Sequence, residues 1–385
     1  MLADIKKAGP VFFGGNYMHS FFKQTFLLKP SPNDHLERVL VAGFCTLIVN
    51  LTGYLLGMPG INATSSLGLF TFLHFQSFEG SRTIKRMVFV AMTLMVSYTV
   101  GLIIGQIPLI APIAIGLVAF FARLIYRIYR IDKPGDIFVI LVMAAAATRD
   151  IPLNQMPAQL LEFAYGIVIS LIMAFLLVKY LHLPKQTFTF TFTFHLKEAI
   201  RQDPRMVVDS FYYASVLFFA SYLNIVLDLS PYSWIIVSCS AILQGNTLEI
   251  ILNRSFQRVF GTVAGLATAA LIIIIPIPHI LRIGAVVILY VLAQYFIPRN
   301  YSIGIFFVTN MVLIQLTFQN PNLGFDYLSY RFEGIVIGTL IGSMAAYLQY
   351  HLYRFYSQSI IQYRTYDYKE KMAEEVNHHD HHLFK

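Results

Sequence analysis

The chain has 385 residues, 57% of them hydrophobic and 12% charged, with a formal net charge of +8 and a mean hydropathy of +0.63. Those shares exclude a soluble domain, and also a soluble domain on one anchor, because a single span uses only about 20 residues. Basic excess in such a chain marks cytoplasmic loops rather than a nucleic-acid surface, and Cys45 and Cys239, both inside apolar runs, say nothing about redox compartment.

In chain order, residues 1–35 do not read as a cleavable signal, since Gly14, Gly15, Lys23 and Lys29 break the apolar stretch. Phe12, Phe13, Phe21, Phe22 and Phe26 among lysines predict a cytoplasmic interfacial segment. A first membrane unit, 36–181, holds apolar segments at about 38–57, 61–78, 87–107, 108–126, 136–148 and 160–181. Its fifth segment is too short to span upright. Residues 182–206 form a polar, basic cytoplasmic linker, in which Thr187–Phe194 alternates Thr and Phe as a strand would. A second unit, 207–355, holds segments at about 207–229, 231–248, 258–276, 278–298, 302–318 and 334–353. Residues 356–385 read as a cytoplasmic tail, and His378, His379, His381 and His382 among charged residues suggest a disordered end rather than a metal site.

The two units share landmarks. Arg82 and Arg86 in one, and Arg254 and Arg258 in the other, are separated by the same 172 residues, as are Pro59 and Pro231. Gly166-Ile-Val-Ile-Ser170 likewise resembles Gly334-Ile-Val-Ile-Gly338. The expected fold is therefore an all-α integral membrane protein of about 12 transmembrane helices, arranged as two parallel six-helix repeats about an axis along the membrane normal. Basic residues in alternate loops put both termini and the linker in the cytoplasm. Arg149 and Arg331 fall on the opposite side and need a local reason.

The richest stretch is Asn253–Gly265. Arg254 and Arg258 lie four residues apart, followed at the same spacing by Gly261 and Gly265, so each pair shares a helix face. An arginine fork suits a carboxylate that has lost its hydration, so Arg254 and Arg258, with Arg82 and Arg86 as symmetry mates, could form a basic inner mouth; the other reading is helix-end anchoring. Trp234, the single tryptophan, is either an interfacial belt residue or a stacker for an aromatic ligand. Glu249 inside Leu248–Leu252, and Glu333 and Glu162 at the starts of the sixth segments, are either proton-coupling carboxylates or members of structural ion pairs. Asp136 and Asp228 read as surface residues at span ends. Gly334, Gly338 and Gly342 make a small-residue ridge for close helix packing, of which Gly166, Ser170 and Ala174 are a weaker copy.

Trp234, Leu243-Gln244-Gly245, Arg254-Ser-Phe-Gln-Arg258 and Phe260-Gly-Thr-Val-Ala-Gly265 together resemble the membrane half of the fusaric acid resistance (FUSC) and aromatic acid exporter superfamily. Arg331-Phe-Glu-Gly334 resembles its later Arg-x-x-x-Gly signature, one residue shorter. The likeness covers about 200–355, and reaches 35–182 only through the repeat, where Asn62 replaces Trp234. It implies export of aromatic carboxylates and other amphipathic anions across an inner membrane, with Gln244 joining Trp234 and the arginines as substrate contacts. Proton-driven export is the first expectation; a passive anion channel and a non-transporting scaffold are the alternatives. The expected partners are the lipid bilayer, small organic anions and, left open, further copies of the chain, but no nucleic acid. No catalytic or phosphate-loop motif is present, so no enzyme, cofactor or metal is expected.

Overall fold

The computed structural model describes residues 27–30, 36–131, 134–149, 151–184, 192–228, 234–245, 247–275, 277–318 and 325–383. The expected interfacial segment, apart from 27–30, and Pro231 lie outside them, as do the side chains of the histidine-bearing tail. The helices are α1 (Leu36–Leu55), α2 (Pro59–Gly68), α3 (Arg82–Gly105), α4 (Ala111–Ile128), α5 (Ile137–Ala147), α6 (Met156–Tyr180), α7 (Phe192–Gln202), α8 (Met206–Val226), α9 (Trp234–Ile242), α10 (Leu248–Ile274), α11 (His279–Phe296), α12 (Tyr301–Leu316) and α13 (Phe325–Leu383).

Eight of these segments are long and apolar enough to cross a membrane, including Asp326–Tyr356 of α13. The protein is therefore an all-helical, multi-pass membrane protein. Five others are short: α2 has 10 residues, α5 has 11, α7 has 11, α9 has 9 and α12 has 16. At ~1.5 Å per residue, α5 covers only about half of a ~30 Å hydrocarbon layer. The fifth segments are short, as expected, but the second ones are shorter than their apolar runs suggested. In the first, α2 gives way to a 3-10 turn, Leu69–His74, whose buried His74 ring bonds the Phe70 carbonyl oxygen at 3.2 Å and that of Gly135 at 3.1 Å. In the second, Arg123 donates to the Leu243 carbonyl at 3.0 Å just past the end of α9. In both, a side chain meets a backbone carbonyl in the turn beyond the helix end.

Two expectations about connecting segments are corrected. Of the alternating stretch 187–194, residues 192–194 open a helix, Phe192–Gln202, rather than a strand, and 187–191 lie outside the described residues. The tail predicted as disordered continues α13 as one helix to Leu383. Helix is the conformation that satisfies its backbone hydrogen bonds without partners from elsewhere.

Packing follows the same order in both units. The third helix lies on the fifth (α3 on α5, α10 on α12) and the second on the sixth (α2 on α6, α9 on α13). Between units, α4 packs on α8 and α1 on α11, while α5 meets α9 and α2 meets α12. The α4–α8 seam buries Ile115 and Ala119 with Leu217 and Ala220; the α1–α11 seam buries Cys45 and Val49 with Val286 and Tyr290.

Close backbone approach explains the glycines. A Cβ on Gly338 would overlap the Ile235 carbonyl oxygen of α9; on Gly334 it would lie 2.7 Å from the Trp234 Cβ, and on Gly342 it would lie 3.2 Å from the Cys239 carbonyl oxygen. On Gly261 it would overlap the Ser302 carbonyl oxygen, and on Gly265 it would lie 2.7 Å from the Thr309 Cβ, which brings α10 onto α12. Gly166 approaches Ser65 of α2 in the same manner. The first unit also has a tight third-to-fifth contact, although at the 172-residue offset Phe89 and Thr93 stand opposite Gly261 and Gly265. It lies further along α3, at Gly101, where a Cβ would be 2.6 Å from the Met143 carbonyl oxygen of α5.

Candidate functional site

Between the two units lies a cavity of about 760 Å³. Its walls come from α1, α2 and the turn after it, α5, and α9 through α13. Five arginines line it: Arg38, Arg149, Arg254, Arg258 and Arg331. No aspartate or glutamate is among the described lining residues, and Phe70, Phe138, Trp234, Tyr290 and Tyr301 supply aromatic surface.

The second-unit arginines are held by neutral groups. Arg258 lies ten residues beyond the start of α10, which is ~15 Å along its axis at ~1.5 Å per residue. It therefore lies within α10 rather than at its end. Its Nη1 donates to the Tyr301 hydroxyl at 2.9 Å and its Nη2 to Ser238 Oγ at 3.2 Å; its Nε is shielded and meets no acceptor among the described residues. Arg254, one turn earlier, lies over the Tyr301 ring at 5.2 Å. Arg331 is 3% exposed and sits 4.0 Å above the Trp234 ring, with Nε and Nη1 shielded and unmatched among the described residues. Cation–π contacts orient a guanidinium without cancelling its charge. Arg149 donates from Nη1 to Thr64 Oγ1 at 2.8 Å, Gln159 Oε1 at 3.1 Å and the Tyr98 hydroxyl at 3.3 Å. Arg149 and Arg331, expected on the side opposite the basic loops, thus both line the cavity.

Several sequence-level assignments change. Arg86 is buried but outside the cavity; its Nη1 pairs with Glu79 Oε1 at 2.6 Å and donates to Gln76 Oε1 at 2.8 Å. Arg82 is half-buried and does not line the cavity either. The four-arginine ring is therefore not formed: an acidic neighbour seven residues upstream neutralises the first-unit mate. Glu249 is exposed in the first turn of α10, where a carboxylate complements the helix dipole, and it does not line the cavity. Glu333 is exposed on α13 and faces neither Arg331 nor the cavity. Glu162 is half-buried at the start of α2, where a Cβ on Gly60 would lie 3.3 Å from its Oε1. Trp234 and Gln244 do line the cavity.

Gln244 also belongs to a polar knot that joins the units. Its Oε1 accepts from Arg123 Nη1 at 3.0 Å and its Nε2 donates to Asp136 Oδ1 at 3.2 Å, while Arg123 pairs with Asp136 at 3.0 Å and lies 4.4 Å over the Tyr213 ring. Asp136 is thus a buried ion-pair partner, 3% exposed, and not a surface residue. Removing one member of a buried pair strands the other charge, at a cost of ~3–5 kcal/mol. Asp136→Ala is therefore expected to lower the thermal midpoint of the detergent-purified protein sharply, and Asp228→Asn, at an exposed site whose φ of 46° asparagine also tolerates, to leave it unchanged.

Sequence reasoning missed Arg38, Tyr290 and Tyr301. Arg38 resembles any charge at a span start, and only the α1–α11 seam turns it inward. Tyr301 carried no motif at all.

Residues 213–345 match the family model described as fusaric acid resistance protein-like. The resemblance read from Trp234, Arg254–Gly265 and Arg331 holds over that stretch, which contains the arginines of the second unit. The fusaric acid resistance protein-like region also supplies Ser238, Gln244 and Tyr301 of the site. The chain is 25% identical over 156 residues to an uncharacterized membrane protein, YvaC, of Bacillus subtilis (strain 168). That match covers 40% of this chain, which spans about 25% of the relative's length. No solved structure matches the chain.

Proposed function

We propose that this protein carries small aromatic or amphipathic organic acids across the inner membrane, with both termini cytoplasmic and the path running between two parallel six-helix repeats. The matched order of helix packing in the two units supports the repeat. The observation that carries the function is the cavity itself: five arginines with no acidic lining residue among those described, interleaved with aromatic faces. Unneutralised guanidiniums in a low-dielectric cavity are costly until an anion joins them. A carboxylate suits the guanidinium fork, and the aromatic walls suit an apolar body. The fusaric acid resistance protein-like match supports a transport role of this kind. In this reading the protein is a transporter and not an enzyme.

The test is accumulation of a panel of aromatic acids in cells expressing wild type, Arg254→Ala plus Arg258→Ala, or no protein. Wild type alone is expected to lower accumulation; equal levels in all three would reject export of this class.

Proton-driven export is the first energetic reading. A passive channel of the same architecture is the second, favoured by the lack of an acidic side chain among the described lining residues. In liposomes at pH 8, benzoate flux through Glu249→Gln and Glu333→Gln is expected to keep the wild-type response to an imposed pH gradient. Loss of that response in either variant would restore a coupling role to that carboxylate. A scaffold role would instead depend on 372–385, whose deletion is expected to leave efflux intact.

A further inference from the structure

We infer that Tyr301 is a positioning residue that holds Arg254 and Arg258 as one convergent anion receptor. This rests on the cavity being an anion site, and deepens that reading by naming what shapes it. Two arginines one helical turn apart repel each other, and long side chains lining a cavity of about 760 Å³ have room to swing apart. Tyr301 engages both. Its hydroxyl accepts from Arg258 Nη1 at 2.9 Å while its ring face lies 5.2 Å from the Arg254 guanidinium carbon. Neither contact brings a negative charge, so the pair is ordered without being neutralised, unlike Arg86 against Glu79.

Tyr301 is itself held from outside the cavity. It is the first residue of α12, whose N-cap Asn300 accepts from the Ile303 N–H at 3.1 Å. The chain at 27–30 grips the same turn: the Lys29 N–H donates to the Arg299 carbonyl oxygen at 3.0 Å, and Asn300 Nδ2 donates to that of Leu27 at 3.4 Å. The ring is thus anchored at its backbone, and its polar tip and its face are given to the two arginines. A residue that merely packed the start of α12 would need neither contact.

The protein contains one tryptophan, and Trp234 lines the cavity, so its fluorescence can report benzoate binding to the full-length purified protein. Tyr301→Phe keeps the ring and removes the acceptor; benzoate is expected to bind about tenfold more weakly, as for a lost hydrogen bond to a charged group. Tyr301→Leu removes both contacts and is expected to weaken binding further. In an Arg258→Gln background, Tyr301→Phe is expected to add almost nothing, because the hydroxyl acts through Arg258. A full loss persisting in that background would mean that the hydroxyl touches the carboxylate itself, which overturns the positioning role. So would wild-type affinity in both tyrosine variants.

A second readout needs no carboxylate. Phenylglyoxal labelling followed by mass spectrometry is expected to show Arg258 reacting several times faster in Tyr301→Phe, and both Arg254 and Arg258 several times faster in Tyr301→Leu, with Arg149 unchanged as an internal control. Unchanged rates would overturn the proposal. Faster labelling without any wild-type benzoate binding would instead sustain Tyr301 as the organiser of the pair and reject the organic-acid reading. Should Tyr301→Leu fail to fold, Tyr301→Phe carries both measurements.

Discussion

Arg258→Gln is expected to weaken benzoate binding at least about 30-fold, read from Trp234 fluorescence, because truncating a buried charge that pairs with a ligand costs ~2 kcal/mol or more. Its position makes this the most sensitive of the lining arginines. It lies ten residues into α10 and lines the cavity, and two of its nitrogens are fixed on the neutral groups of Tyr301 and Ser238, which leave its charge uncompensated. The same substitution should not lower the thermal midpoint, since in the empty cavity it removes an uncompensated buried cation. Arg86→Gln is the contrasting case. It sits at the corresponding place in the first unit, but its loss strands Glu79, so stability is expected to fall while benzoate affinity holds. Equal loss of binding in both variants would refute the assignment of the site to the second unit.

Gly338→Ala is expected to give a large stability loss for a single-methyl change. The added Cβ would overlap the Ile235 carbonyl oxygen, a backbone atom that can yield only if α9 and α13 separate. Overpacking typically costs ~1–3 kcal/mol and more where backbone must move. The seam that opens carries Trp234 on one helix and Arg331 on the other, so tryptophan emission should shift as well. Gly284→Ala is the control. Nothing lies within 4 Å of a Cβ at that position, and alanine favours helix over glycine by ~1 kcal/mol, so its midpoint should rise or stay level. A Gly338→Ala protein as stable as wild type would show that α9 and α13 do not pack this closely in the membrane.

Much of the architecture was legible because helical periodicity and glycine spacing are local. The ridge Gly334, Gly338 and Gly342 announced a close contact, and the contact is there, on α9. The short fifth helices were visible in the lengths of their apolar runs. The short second helices were not, because the group that meets the Leu243 carbonyl beyond α9 is Arg123 from α4, a partner distant in sequence. Asp136 was misplaced for the same reason, since its burial depends on Arg123 and Gln244 arriving from two other helices.

The arginines mark the limit most clearly. The sequence by itself determined that this is a helical membrane protein, that two units share an arginine pair at one spacing, and that the second unit carries the fusaric acid resistance-like pattern. It even held an unread signal, for at the same 172-residue offset Glu79 has Ile251 as its counterpart. Only the tertiary structure decided which arginines keep their charge available. Arg86 turns onto Glu79, whereas Arg254, Arg258 and Arg331 turn onto tyrosine, serine and tryptophan in a cavity shared with Arg38 and Arg149. Helix formation is set by groups a few residues apart, while the net charge of a buried site is set by whichever side chains the packing of distant helices brings into reach.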